Sequence, residues 1–78
     1  MELTTAFGCT LRSLRLDRNL TQEQLGIAAD LQRKYISWLE RGEKQPTLTT
    51  IFKLANALQI APAELVGAVE RLLASDAT

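Results

Sequence analysis

Apolar residues recur at helical spacing through almost the whole chain. Leu3, Phe7, Leu11 and Leu14 return every three to four positions, which predicts a first helix over about residues 3–17. Arg12, Arg15 and Arg18 recur at three, which places them on one shared face, and Arg18-Asn19 forms the exit. Thr21 opens a second element: its hydroxyl can cap orphan N–H groups, and Gln24 three residues on completes a capping box. That helix covers about 22–28, with Leu25 and Ala28 facing inward, and Ala29-Asp30 reads as a turn because Asp tolerates the left-handed conformation. A third helix, about 33–41, turns Ile36 and Leu39 one way and Arg33, Lys34, Ser37, Trp38 and Arg41 the other. Leu31 packs before it, and Gly42 fits as its left-handed terminator.

Residues 43–46 form a loop. Thr47 caps a fourth helix, about 48–58, with Leu48, Ile51, Phe52, Leu54, Ala55 and Leu58 as its buried set. Pro62 suits the first turn of a fifth, about 62–74, although Ala61 before it offers no side-chain oxygen as a cap. Nothing alternates with period two, so the expectation is an all-α chain. Gly26 predicts close approach of the second and third helices, which can pass near each other only over a small side chain.

Composition narrows the classes. With 78 residues there is room for one domain and a modest core. Hydrophobic residues at 46% and charged residues at 23% exclude a disordered tail. Nine basic residues balance nine acidic ones, so total charge points to no nucleic acid or membrane. There is no His, which removes imidazole catalysis and imidazole metal ligands. A single cysteine, Cys9, excludes an internal disulfide or a CxxC metal site, and its setting reads as a small buried or half-buried apolar residue rather than a redox sensor. No apolar run reaches the ~18 residues of a membrane span, and the N-terminus lacks a basic signal start, so the expected setting is the cytoplasm.

Residues 21–42, two short helices joined by a tight turn, match the helix-turn-helix arrangement, in which the second helix protrudes into a major groove ~12 Å wide. Thr21-Gln22-Glu23-Gln24-Leu25, then Tyr35-Ile36-Ser37-Trp38-Leu39-Glu40-Arg41-Gly42 and Pro46-Thr47-Leu48, resemble the lambda-repressor-like (Xre) helix-turn-helix family. The similarity continues through Leu54-Ala55-Asn56-Ala57-Leu58 and Pro62-Ala63-Glu64-Leu65. It implies a five-helix domain that binds double-stranded DNA, usually as a homodimer on a pseudo-palindromic site.

By that resemblance Gln32, Arg33, Lys34, Ser37 and Trp38 face base edges or flanking phosphates. Arg33 is the foremost base reader, since its planar fork can bond guanine O6 and N7 together. Gln22 bonds a phosphate and steadies the recognition helix, Arg41 and Lys44 anchor phosphates, and Arg15 with Glu40 form an internal salt bridge. Tyr35 is either a ring on the domain's edge or a phosphate contact through its hydroxyl, and Ser37 either a plain exposed serine or a base contact. Two departures stand out: Asp30 where the family usually has Gly, and Trp38 where a small or polar reader is commoner.

Charge is polarised along the chain despite its zero total. Between residues 33 and 44 there are four basic positions (33, 34, 41, 44) against two acidic (40, 43); from 64 to 78 there are three acidic (64, 70, 76) against one basic (71). A phosphate-facing side and an acidic far side follow from this. On the last helix, Leu65, Val66, Val69, Leu72 and Leu73 make a stripe wider than one small core needs. It is either completion of that core or, in part, a two-fold interface setting two recognition helices ~34 Å apart.

The expected function is a homodimeric, autoregulatory transcription regulator with no cofactor, metal or catalysis. Within the family the stretch from Arg33 to Ser37 is reminiscent of restriction-modification controllers. RNA polymerase is a conceivable further partner, through acidic residues such as Glu23. The rival is a protein-interaction module, such as an antitoxin binding its toxin through the last helix.

Overall fold

The computed structural model describes residues 1–76. Five helices follow in order, α1 (Leu3–Asp17), α2 (Gln22–Ala29), α3 (Arg33–Glu40), α4 (Leu48–Ala57) and α5 (Pro62–Asp76), with no strand among the described residues. The all-α, five-helix expectation holds, and each boundary lies within two residues of its expected place.

Local chemistry sets those boundaries. Thr21 Oγ1 accepts from the Gln24 N–H at 3.0 Å, and Gln24 Oε1 accepts from the Thr21 N–H at 2.8 Å, a complete capping box. Thr47 Oγ1 accepts from the Thr50 N–H at 3.1 Å. Ala61 has no hydroxyl to give, but Glu64 Oε1 accepts from the Ala61 N–H at 3.1 Å, so half of a capping box survives at α5. Exits are left-handed at Asn19 (φ 57°), Asp30 (φ 57°), Gly42 (φ 73°) and Gln59 (φ 59°).

The core is a cluster of Leu11, Leu25, Ile36, Leu39, Leu54, Leu58 and Leu65, all fully buried. α1 packs on α3 and α5, α2 on α3 and α4, and α4 on α5. In this ring of contacts α3 is held between α1 and α2. Two glycines permit that grip. A Cβ on Gly26 would stand 2.6 Å from the Leu31 carbonyl oxygen, in keeping with the expected close approach of α2 and α3. A Cβ on Gly8 would stand 2.5 Å from the carbonyl oxygens of both Leu39 and Glu40, so α1 meets the end of α3 at backbone contact.

Packing redirects several positions that periodicity placed otherwise. α2 buries Ala29, four residues after Leu25, and leaves Ala28 exposed. On α4 the buried face is Thr50, Leu54, Ala55 and then Leu58, so Leu48 and Phe52 point outward and are 71% and 54% exposed. Leu3 is exposed for the corresponding reason, at the free start of α1. Cys9 is exposed rather than buried, because Ala6, Phe7, Thr10 and Leu11 take the inward face of α1. Arg15 leaves the solvated face shared by Arg12 and Arg18 and turns inward, where it is buried.

The stripe on α5 divides. Leu65 and Val69 are buried in the core of their own chain, Leu72 and Leu73 lie half-buried against it, and Val66 is exposed. Leu65 is fully enclosed by its own chain, whereas Val69 shows an edge to the groove beside Leu3 and Val66.

Candidate nucleic-acid interface

α3 is held at its C-terminal end by a polar network that crosses three helices. Arg15 of α1 donates from Nε to Glu40 Oε2 at 2.7 Å and from Nη2 to Glu40 Oε1 at 2.9 Å. Its Nη1 donates to the Leu20 carbonyl at 2.8 Å, at the start of the approach to α2. Gln22, the first residue of α2, donates from Nε2 to Glu40 Oε1 at 3.0 Å. One carboxylate at the end of α3 thus holds a guanidinium from α1 and an amide from α2. The hydrogen bond to Glu40, set against the cost of burial, raises the Arg15 pKa above its ordinary value. No buried side-chain nitrogen or oxygen among the described residues lacks a partner.

The face of α3 turned away from Ile36 and Leu39 carries the polar side chains, and Glu40 stands at its α2 edge, two turns on from Arg33. Gln32 is the residue before the first turn and makes no side-chain cap bond. Gln32, Arg33, Lys34, Arg41 and Lys44 are exposed, and Ser37 and Trp38 half-buried. Ile36 and Leu39 supply the apolar side, fully buried. Arg33 lines an open cleft together with Thr21, Gln22 and Glu23, so it stands at the α2 edge of the face.

Trp38 stands at the other edge. Lys34 Nζ lies 5.2 Å and Lys44 Nζ 5.3 Å from the centroid of its ring. Arg41 pairs with Glu43 on the surface.

Two residues sit differently from a plain phosphate contact. Gln22 steadies the recognition helix as expected, with one amide N–H committed to Glu40. Tyr35 is half-buried, its ring packed at the edge of the core and its hydroxyl 3.5 Å from Thr50 Oγ1 on α4. The ring therefore lies on the domain's edge.

Sequence reading missed the joint hold of Trp38 on two lysines. The spacing of four between Lys34 and Trp38 signals one half of it; the half from Lys44 depends on how the loop after Gly42 folds back. It also missed Gly8, whose role appears only when α1 meets α3.

The helix-turn-helix domain family matches residues 6–73. The chain belongs to the helix-turn-helix family of transcriptional regulators. A similar relative of this helix-turn-helix protein is the control protein C.BamHI of Bacillus amyloliquefaciens, 41% identical over 61 residues, covering 77% of this chain and 75% of the relative. Among solved structures, the restriction-modification controller protein C.AhdI from Aeromonas hydrophila superposes with a TM-score of 0.78 at 44% identity, over 80% of this chain and 94% of that one. The clp gene regulator ClgR from Corynebacterium glutamicum superposes with a TM-score of 0.91 at 30% identity, over 99% of this chain and 82% of that one. The fold, the motif and these relatives agree on a DNA-binding regulator, a family whose members are regulators rather than enzymes. No helix among the described residues is long and apolar enough to cross a membrane.

Proposed function

We propose that this chain is a sequence-specific regulator of the restriction-modification controller type. It acts in the cytoplasm as a homodimer on a pseudo-palindromic operator, which includes the promoter of its own gene. One observation carries the reading: α3, locked at its end by the bonds of Arg15 and Gln22 to Glu40, presents Gln32 and Arg33 outward, with no carboxylate among the described residues paired to Arg33. A rigid element bearing an unpaired guanidinium beside the start of α2 suits bidentate contact to guanine in a major groove. Arg41 and Lys44 serve the phosphates alongside, and Gln22 adds a phosphate contact through its second amide N–H.

The homodimer uses the exposed apolar surface that the core leaves over. Leu3, Ile51 and Val66 border an apolar groove of about 170 Å³ between α1, α4 and α5, and Leu48 and Phe52 are exposed on α4. Exposed large apolar side chains gathered in one region mark an interaction surface. Of the α5 stripe, Val66 belongs to this interface, while Leu72 and Leu73 flank it from their half-buried places. The rival reading, a module that binds a toxin through α5, is disfavoured because the similar proteins are control proteins and regulators. Contact with RNA polymerase through Glu23, exposed on α2, remains compatible with DNA binding.

The test is a titration with duplex DNA from immediately upstream of the gene, followed by DNA anisotropy and Trp38 fluorescence at two salt concentrations. Binding that weakens steeply with salt, and that Arg33→Ala reduces by about 1–3 kcal/mol, supports the reading. No binding to any duplex at low salt overturns it.

A further inference from the structure

We propose that Trp38 is a positioning residue for backbone contact: its indole holds Lys34 of α3 and Lys44 of the following loop as a paired cationic grip on DNA phosphates. The proposal rests on the DNA-binding reading and assigns Trp38 a part in it other than reading a base.

The geometry is specific. Lys34 precedes Trp38 by four residues, one helical turn, which brings its ammonium 5.2 Å from the ring centroid. Lys44 arrives from the loop, 5.3 Å from the same centroid. Both distances lie within the ~6 Å range of attraction between a cation and an aromatic face. The loop is tied to the same residue by its backbone: the Glu43 N–H donates to the Trp38 carbonyl at 2.9 Å, and Gly42 turns the chain there with φ 73°. Trp38 therefore fixes the loop twice, once through its carbonyl and once through its ring.

Charge explains why this matters. Two ammonium groups drawn to one ring repel each other, and neither forms a salt bridge with a carboxylate among the described residues. The nearby acids are engaged elsewhere, Glu43 by Arg41 and Glu40 by Arg15. An aromatic face attracts a cation without neutralising it, so the pair keeps its full positive charge while losing much of its rotamer freedom. Neighbouring phosphates then meet ammonium groups already placed, and the ordering cost on binding falls. In a chain of zero net charge, such local concentration supplies the backbone attraction that the total does not. Arg33 occupies the α2 edge of the face, while Trp38 sits at the loop edge, where a duplex presents its phosphates to the flank of a helix lying in the groove.

Phosphate contact and base contact leave different signatures, and a random-sequence duplex separates them. Each phosphate contact contributes about 0.9 to the slope of log affinity against log salt, whatever the sequence. The experiment measures anisotropy of a random-sequence duplex about three turns long at several salt concentrations between about 50 and 200 mM. The proteins are wild type, Trp38→Leu, Trp38→Phe and Lys34→Ala/Lys44→Ala, each first shown to be folded by its thermal melt. The expected result is that the double lysine variant lowers the slope by about 1.8 per protomer, about 3.6 for the bound homodimer, so that wild type loses about a hundredfold more affinity across this range than the variant does. Trp38→Leu moves the slope in the same direction, and Trp38→Phe, which keeps an aromatic face, restores most of it.

A base reader at position 38 would leave the random-sequence slope unchanged in all three tryptophan forms, and that result overturns the proposal. So does a double lysine variant with the wild-type slope. If wild type binds neither this duplex nor the upstream one at low salt, the DNA-binding reading itself has failed. That result is distinguishable from the other two, in which wild type binds.

Discussion

Arg15 and Glu40 meet through two parallel hydrogen bonds, at 2.7 and 2.9 Å, with the Glu40 side chain only 3% exposed. Twenty-five residues apart in sequence, they join the end of α1 to the end of the recognition helix. Desolvation offsets much of the attraction in such a pair, but removing one partner strands the other. Arg15→Ala and Glu40→Ala are each expected to destabilise the protein by about 3–5 kcal/mol, whereas Arg15→Met combined with Glu40→Leu costs much less. Urea unfolding of the three variants checks this. Equal losses in the single and double variants would show that the pair's value lies in its geometry rather than in avoiding a stranded charge.

Gly8 lets α1 lie against the carbonyls of Leu39 and Glu40, 2.5 Å from where a Cβ would stand. Neither obstacle is a flexible side-chain end. Gly8→Ala is therefore expected to push α3 away from α1, at a cost of about 1–3 kcal/mol typical of overpacking. Because the displaced helix is the recognition helix, DNA affinity falls with stability, even at temperatures where the variant is fully folded. A loss of stability with undisturbed affinity would separate the two.

Asp30 and Gln59 both hold left-handed backbone without being glycine. Neither makes a close ion pair there; Asp30 only approaches Lys53 at 4.0 Å on the surface. Replacing either by Gly relieves the steric cost of a Cβ at positive φ, partly offset by the greater freedom of the unfolded chain. The expected net gain is about 0.5–1 kcal/mol each, read as a higher urea midpoint with unchanged slope. The gain is expected to be larger at Gln59, since Asp can hydrogen-bond its own backbone in this conformation and Gln does so less readily.

Leu65 and Val66 are neighbours with opposite surroundings, one fully buried and the other 49% exposed. Leu65→Ala is expected to cost about 2–5 kcal/mol of folding stability. Val66→Glu is expected to leave the monomer's fold intact and to shift the sedimentation coefficient from dimer to monomer at tens of micromolar, a concentration scale suited to a modest interface. A dimer undisturbed by Val66→Glu would move the interface away from the groove bordered by Leu3, Ile51 and Val66.

The starts and stops of the helices were written in single residues. Thr21 and Thr47 cap because a hydroxyl reaches an N–H only two or three positions ahead, and Gly42 terminates because φ is a property of one residue. Such interactions need no distant partner, so the chain determines them alone. The motif from Thr21 to Gly42 likewise carried the family and the face of α3 that looks outward. Periodicity, however, gives each helix an apolar direction without saying what arrives against it. The Arg15–Glu40 pair was expected from the motif and is present; periodicity, by contrast, buried Cys9 and counted Leu48 and Phe52 in the core. Packing used Ala6 and Thr10 in place of Cys9, and gave α4 a buried face centred on Leu54 and Ala55. The division of the α5 stripe and the meeting of Lys34 and Lys44 on Trp38 were decided in the same way. Each depends on contacts between segments far apart in the chain, and only the closing of the core settles which of several chemically acceptable neighbours a side chain obtains.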